Sequence, residues 1–215
     1  MIDFKPGKLS LLNKMKIDFS GFLFYRLYYL LITSNEFFYT QLYRALLRFK
    51  KVNLGIGCRF SGKSLFVRFP LSNITIGSYC TFRSDQISNL IGVNRRCIIA
   101  THSENAQIII GEGCGLSGVT IGAYEKIILG DNILCGANVL ITDFDWHTSR
   151  YPSESKPVII HDNVWIGVNS VLLKGVEIGE NSIIGANSVV VKNIPANVVA
   201  AGNPCKVIKK LNFNE

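Results

Sequence analysis

Between residues 160 and 194 the chain repeats itself every six residues without a gap, and this period constrains the fold more than any other feature. Ile160, Ile166, Leu172, Ile178, Ile184 and Val190 mark one phase. Four residues after each comes Val164, Ser170, Val176, Ser182, Ser188 or Ile194, all small or β-branched. Gly167, Gly179 and Gly185 directly follow their aliphatic neighbours. A helix repeats near 3.6 residues and a simple strand near 2, so neither accounts for six. A short strand plus a turn does: one aliphatic points inward per segment, and Gly or Asn takes the turn. Such segments cannot bury their apolar side alone, so they stack as the coils of a solenoid.

Looser copies lie upstream: Ile76-Gly77 with Cys80, Ile91-Gly92, Ile110-Gly111 with Cys114, and Leu129-Gly130 with Ile133. Cys135 and Ile141 then continue the six-residue step. The starts at 110 and 129 are nineteen residues apart, close to three hexads, which predicts triangular coils of three short strands each. From Ile141 to Ile160 is again nineteen residues, but the intervening TDFDWHTSRYPSESKPVI lacks the pattern. It reads as an excursion from the solenoid over 142–159. Excursions from a rigid scaffold are where function usually sits.

Composition divides the chain in two. Residues 1–54 hold nine Lys/Arg against three Asp/Glu and 12 of the 23 aromatics, whereas 55–215 carry fourteen against twelve. The formal charge of +8 is therefore mostly a property of the first quarter. No run reaches the roughly eighteen apolar residues of a membrane span. The nearest, Gly21 to Thr33, is thirteen residues long and interrupted by Arg26. It begins too deep for an ordinary signal peptide and no cleavage pattern follows it, which gives the expectation of a cytoplasmic protein. Six cysteines are present, at 58, 80, 97, 114, 135 and 205, without a CxxC pair. Several occupy hexad positions that want a small buried side chain, so reduced, buried thiols are expected.

The stretch IGENSIIGANSVVVKNIPANVVAAGNPCKVIKKL, with VWIG at 164–167, resembles the hexapeptide-repeat acyltransferases. It is most similar to their galactoside, maltose and xenobiotic acetyltransferase branch. The resemblance covers about residues 74–210 and is specific in 129–210. It implies a left-handed parallel β-helix, a homotrimer and an acetyl-CoA donor; handedness does not follow from the spacing. The expected organisation is a helical extension over 1–52, a β-helix over 53–194 and a C-terminal turn and tail over 195–215.

Transfer of an acetyl group from a thioester needs little activation of the donor. It needs a base near neutral pKa to take the proton of the acceptor's hydroxyl or amine. His147, in Asp143-Phe144-Asp145-Trp146-His147-Thr148, suits that role, and the family's catalytic His falls in this same loop. Asp143 or Asp145 would orient its imidazole, although turn-capping Asp residues are common. His161 sits where the hexads place Gly or Ala and reads as a coil residue. His102 lies in a weaker excursion, read as a surface turn or an acceptor contact. Trp165, five residues after Ile160, reads as an outward-facing corner residue that needs a partner, a ligand or a neighbouring subunit. The family's recurrent Trp in VWIG lines the active site.

On the donor side the resemblance assigns coenzyme contacts to Ala186, Val191, Lys192, Lys206 and Lys209. The family often has Thr at the position of Val191 and Arg at those of Lys206 and Lys209; this chain keeps the charges but loses a hydroxyl and the bidentate forks. The Gly202-Asn203-Pro204 turn resembles the family's turn at the mouth of the coenzyme site. Gly167 offers, by position, a backbone N–H for the oxyanion. No metal is expected. On the acceptor side, the family's Asn and Asp are not reproduced over Ser117–Lys126, where Tyr124 and Glu125 supply the replacement surface.

In residues 1–52, Leu23, Leu27, Leu30 and Leu31 fit one helical face, and Phe38, Leu42, Ala45, Leu46 and Phe49 another, with Asn35-Glu36 starting the second helix. Two readings of this extension stay open. It caps the open end of the solenoid, or it makes a peripheral contact with an anionic membrane at its inner face. Nucleic acid is not expected as a partner, because the basic residues match no recognised motif. The function expected is acetyl-CoA-dependent O-acetylation of a saccharide acceptor in surface polysaccharide synthesis. The alternatives are N-acetylation of an amino sugar, a non-catalytic β-helix scaffold, and a metal-dependent hydratase holding zinc on three histidines.

Overall fold

The computed structural model describes residues 10–147 and 154–212. From Asn53 onward the chain winds into a left-handed parallel β-helix of triangular section, one short strand per face per coil. The first face stacks Asn53–Leu54, Asn73–Ile76, Gln107–Ile110, Lys126–Leu129, Val158–Ile160 and Glu177–Ile178. The second stacks Arg59–Ser61, Thr81–Arg83, Gly115–Ser117, Leu134–Cys135, Trp165–Ile166, Ile183–Ile184 and Val198–Ala201, then ends on the antiparallel strand Lys206–Lys210. The third stacks Leu65–Val67, Ile98–Thr101, Thr120–Ala123, Leu140–Thr142, Val171–Leu172 and Val189–Val190. The hexad aliphatics are in register from coil to coil: Leu129 pairs with Ile160, Ile160 with Ile178, and Ile166 with Ile184. All are buried.

The corners explain why the period holds. Asn132, Asn163, Asn181 and Asn197 have φ of 57, 59, 57 and 60°, a left-handed conformation that Asn tolerates better than most residues. Their side chains donate along the axis, Asn132 to Asn163 at 3.2 Å, Asn163 to Asn181 at 3.2 Å and Asn181 to Asn197 at 3.0 Å. One residue type thus makes the turn and ties each coil to the next. All six cysteines are unpaired and buried, as expected. Cys58, Cys80 and Cys114 stack in one corner, each Sγ 3.1–3.2 Å from a glycine carbonyl of the neighbouring coil.

Two upstream readings change. Ile91-Gly92 is not a hexad: it lies between the strands Thr81–Arg83 and Ile98–Thr101, and Ile91 is exposed. Residues 84–96 form an excursion of their own, whose Asn94 and Gly92 are tied to Asn138. In addition, solenoid pairing runs past 194, since Val198–Ala201 still pairs in parallel with Ile183–Ile184.

The extension is two helices, α1 (Leu11–Ile17) and α2 (Phe19–Phe49), with Asp18 capping α2 through Gly21 N–H at 2.9 Å. α2 runs unbroken through Asn35-Glu36, where a second helix was expected. Asn35 instead accepts from Gly62 N–H at 3.0 Å, and Glu36 pairs with Arg59 at 3.6 Å, so the pair docks the helix on the first coils. The buried face is Thr40, Tyr43 and Leu47, not Phe38, Leu42, Ala45 and Phe49, which are exposed. Tyr43 stacks on Phe60 at 4.9 Å and donates its hydroxyl to Ser64 O; Phe60 stacks on Phe82 at 4.9 Å. The C-terminal half of α2 therefore closes the end of the solenoid. Its first half leaves Leu23, Phe24, Tyr25, Leu27, Tyr29, Leu30 and Leu31 exposed. No described helix is long and apolar enough to cross a membrane.

Candidate active site

The excursion leaves the solenoid at the corner between the third and first faces, after Thr142, and rejoins at Val158. Its root is Asp143. This side chain is wholly buried and accepts the backbone N–H groups of Tyr124, Glu125 and Lys126 at 2.7, 2.8 and 2.6 Å. Burial pushes its carboxyl above the ordinary value, while the three N–H groups draw it back. Its own carbonyl accepts Lys156 N–H at 2.9 Å, which pins the two ends of the loop together. Asp143 is thus an organiser of the corner.

Asp145 is exposed and bonds Lys174 Nζ at 2.7 Å, a contact that ties the loop to the following coil. Phe144 and Trp146 turn back over the corner above, where they meet His102 and Tyr124. His147 follows, exposed, at the end of the described first limb of the loop. Thr148, at the end of the quoted motif, lies outside the described residues. Of the three histidines, His102 is packed among rings, and burial lowers its pKa, with the Asp143 charge offsetting part of the shift. His161 is at the first-to-second corner and meets Glu177 at 2.6 Å. Three histidines therefore do not converge within one chain, and among the described residues no His/Cys/Asp/Glu group could hold a metal ion.

Trp165 lies in a strand of the second face, not at a corner, with its side chain outward and 54% exposed. It stacks in register between Leu134 and Ile183. That face is opposite the corner bearing His147. Gly167 and Ala186 occupy the second-to-third corner of successive coils. A Cβ on Gly167 would come within 2.5 Å of Ala186 N, so the glycine lets the backbones stack. Its N–H donates to Ile184 O at 2.7 Å, which removes it as the oxyanion donor. Lys206 starts the terminal strand opposite Ala201 and Lys209 follows opposite Val199, both exposed. Val191 and Lys192 are exposed at the third-to-first corner, the one that carries His147. The expected residues thus fall into two groups. His147, Asp145, Val191 and Lys192 share one corner, while Trp165, Gly167, Ala186 and the terminal lysines gather about the second face and its far corner.

The sequence reading of the acceptor side missed the ring cluster. Phe144 and Trp146 were legible only as loop residues, and nothing in the spacing places them against His102, forty residues earlier. The one available signal was the concentration of aromatics beside a lone loop histidine.

Residues 157–192 match the family described as bacterial transferase hexapeptide (six repeats). The galactoside O-acetyltransferase of Escherichia coli (strain K12) is 47% identical over 99 residues, 44% of this chain and 49% of that protein. The 2,3,4,5-tetrahydropyridine-2,6-dicarboxylate N-acetyltransferase of Staphylococcus aureus (strain Newman) is 38% identical over 80 residues, 37% of this chain and 31% of that protein. Among solved structures, a galactoside acetyltransferase in complex with coenzyme A is 41% identical, covering 49% of this chain and 55% of that one, with a TM-score of 0.43. The chain spans about half the length of the curated galactoside relative it matches, and less of the N-acetyltransferase.

Proposed function

We propose that this hexapeptide-repeat chain is an acetyl-CoA-dependent O-acetyltransferase acting on a saccharide hydroxyl in surface polysaccharide synthesis, with His147 as general base. The observation that carries the reading is His147 itself. It is the one histidine of the three left exposed on the excursion, on a loop fixed at both ends by Asp143 and Lys156. The 47% identity to a galactoside O-acetyltransferase supports the reaction class. The imidazole takes the acceptor's hydroxyl proton as the hydroxyl oxygen attacks the thioester carbon. The imidazolium then returns that proton to the departing coenzyme A thiolate. Asp145 is the nearest carboxylate along the chain to orient the ring. The exposed cations Lys192, Lys206 and Lys209, with the side-chain-poor Gly167–Ala186 corner and Val191, suit a thin pantetheine arm with phosphates at one end.

Trp165 faces away from the corner that bears His147, so a site using both is shared between copies. A closed ring of three identical copies, each presenting its loop corner to its neighbour's second face, fits this need. The exposed aromatic half of α2, in the basic quarter of the chain, supports a peripheral contact with an anionic membrane; cosedimentation with anionic but not neutral vesicles tests it. N-acetylation of an amino sugar uses the same base, and the 38% identical N-acetyltransferase keeps that second reading in view.

The test is acceptor-dependent thiol release from acetyl-CoA. His147→Ala lowers it by about 100-fold or more; retained turnover overturns the assignment. Mixing His147→Ala with Trp165→Ala chains, each inactive alone, restores about a quarter of the wild-type rate if copies associate at random in a shared-site trimer. Amino against hydroxyl sugars separates the two acetylation readings.

A further inference from the structure

Four rings close over the corner from which the excursion leaves. Phe144 and Trp146 have centroids 4.6 Å apart; His102 lies 4.9 Å from Trp146 and 5.4 Å from Phe144; Tyr124 lies 5.5 Å from Phe144. The cluster is built for position. Trp146 lies so close over Gly122 that a Cβ there would be 2.9 Å from its ring. Tyr124 is held by its N–H on Asp143 at 2.7 Å. Yet the cluster does not hide itself: Trp146 is 52% and Tyr124 49% exposed. The corner turned by Asn132, Asn163, Asn181 and Asn197 carries no such rings. Here it also carries a buried polar atom, His102 Nε2, with no hydrogen-bond partner among the described residues, a cost that packing alone does not explain.

The geometry points to an acceptor subsite in which a neutral pyranose ring stacks on Trp146 and Tyr124, held there by the Phe144–His102 cluster, beside His147. This rests on the acetyl-transfer reading above. The C–H face of a pyranose carries partial positive charge and meets the negative face of an aromatic ring. Carboxylates at the rim complete the chemistry: Glu125, which already accepts Ser155 Oγ at 2.9 Å, and Asp145 are acceptors for sugar hydroxyls. The same carboxylates disfavour a phosphorylated or acidic sugar, and the Lys174 ammonium beside them is engaged with Asp145. Trp146 and Tyr124 are then specificity-determining residues that position the hydroxyl for His147.

Two arms test this. In the first, Trp165→Phe leaves Trp146 as the sole tryptophan, and its emission is followed without coenzyme during titration with methyl β-galactoside, methyl β-glucoside, N-acetylglucosamine and glucose 6-phosphate. A saturable change with a neutral sugar, reduced at least tenfold in affinity by adding Tyr124→Ala, is the expected result. In the second, thiol release is measured with the best sugar. Trp146→Ala raises the saccharide KM at least tenfold, leaves the acetyl-CoA KM within twofold, and is partly rescued by Trp146→Phe. Several results overturn the proposal: no emission change with any neutral sugar, preference for glucose 6-phosphate, an unchanged saccharide KM, or a Trp146→Ala chain that dissociates by light scattering. The last would make the rings a contact between copies. If no form transfers acetyl, the function proposed above fails and the emission arm alone decides the subsite.

Discussion

Asp143→Ala removes the carboxylate that organises the corner beneath the excursion. Three backbone N–H groups, from Tyr124, Glu125 and Lys126, lose their acceptor together. An unpaired buried N–H costs about 1–3 kcal/mol. The space left by the carboxylate admits a water that recovers part of this, so the net loss is about 3–4 kcal/mol. Asp143→Asn is the informative companion. Its single oxygen can keep Glu125 and Lys126, which share Oδ2, but its NH2 then faces the Tyr124 N–H, at a cost of about 1–2 kcal/mol. In a chain of this size each kcal/mol moves Tm by about 2–4 °C, which gives roughly 6–16 °C for Ala and 2–8 °C for Asn. Thermal unfolding by circular dichroism, at one fixed protein concentration because association adds to stability, reads both. Amide exchange at residues 124–126 should accelerate in the same order. An Ala variant milder than Asn, or within a degree of wild type, refutes the reasoning.

Asn163→Ala breaks two rungs of the corner ladder and puts alanine at positive φ, for a loss of about 2 kcal/mol, whereas Asn163→Gly regains the conformational part; equal denaturation midpoints for the two would remove the left-handed turn from the explanation. Phe82→Ala, beneath the Phe60 stack, costs about 3–5 kcal/mol by urea titration. Burial lowers the His102 pKa from its ordinary 6.5, so its contribution to stability is complete above 6.5 and is lost as pH falls through the lower folded value. The Tm of His102→Leu should accordingly fall less between pH 7 and 5 than that of wild type.

How much was legible follows from what makes a period. Where every coil uses the same aliphatic step and the same left-handed corner, as from Ile160 to Ile194, both inward hexad positions are buried as the period requires, and only the outward Trp165 is moved, from corner to strand. Toward the N-terminus the first coils fill with Phe60, Phe66 and Phe82 to meet Tyr43, and the exchange of aliphatic for aromatic volume erases the hexad. Ile91-Gly92 was misread there because two adjacent residues imitate a hexad without a coil behind them. α2 was misread for a different reason: its exposed residues are as apolar as its buried ones, so hydrophobic spacing cannot say which face is inward. The loop histidine was legible as a candidate base, exposed on the excursion. Its surroundings were not, since Gly122, His102 and Trp146 meet only because successive coils stack.

A coil stacked on an identical coil carries no instruction to stop. The last strand, Lys206–Lys210, reverses direction, pairs antiparallel with Val198–Ala201 and presents exposed Lys206, Lys209 and Lys210. At the opposite end Tyr43 and Leu47 of α2 sit where a preceding coil would. The helix at one end and the reversed, lysine-bearing strand on the second face at the other disfavour end-to-end pairing of that sheet between two molecules. Association through the flanks is thereby favoured over growth of the second face into a fibre.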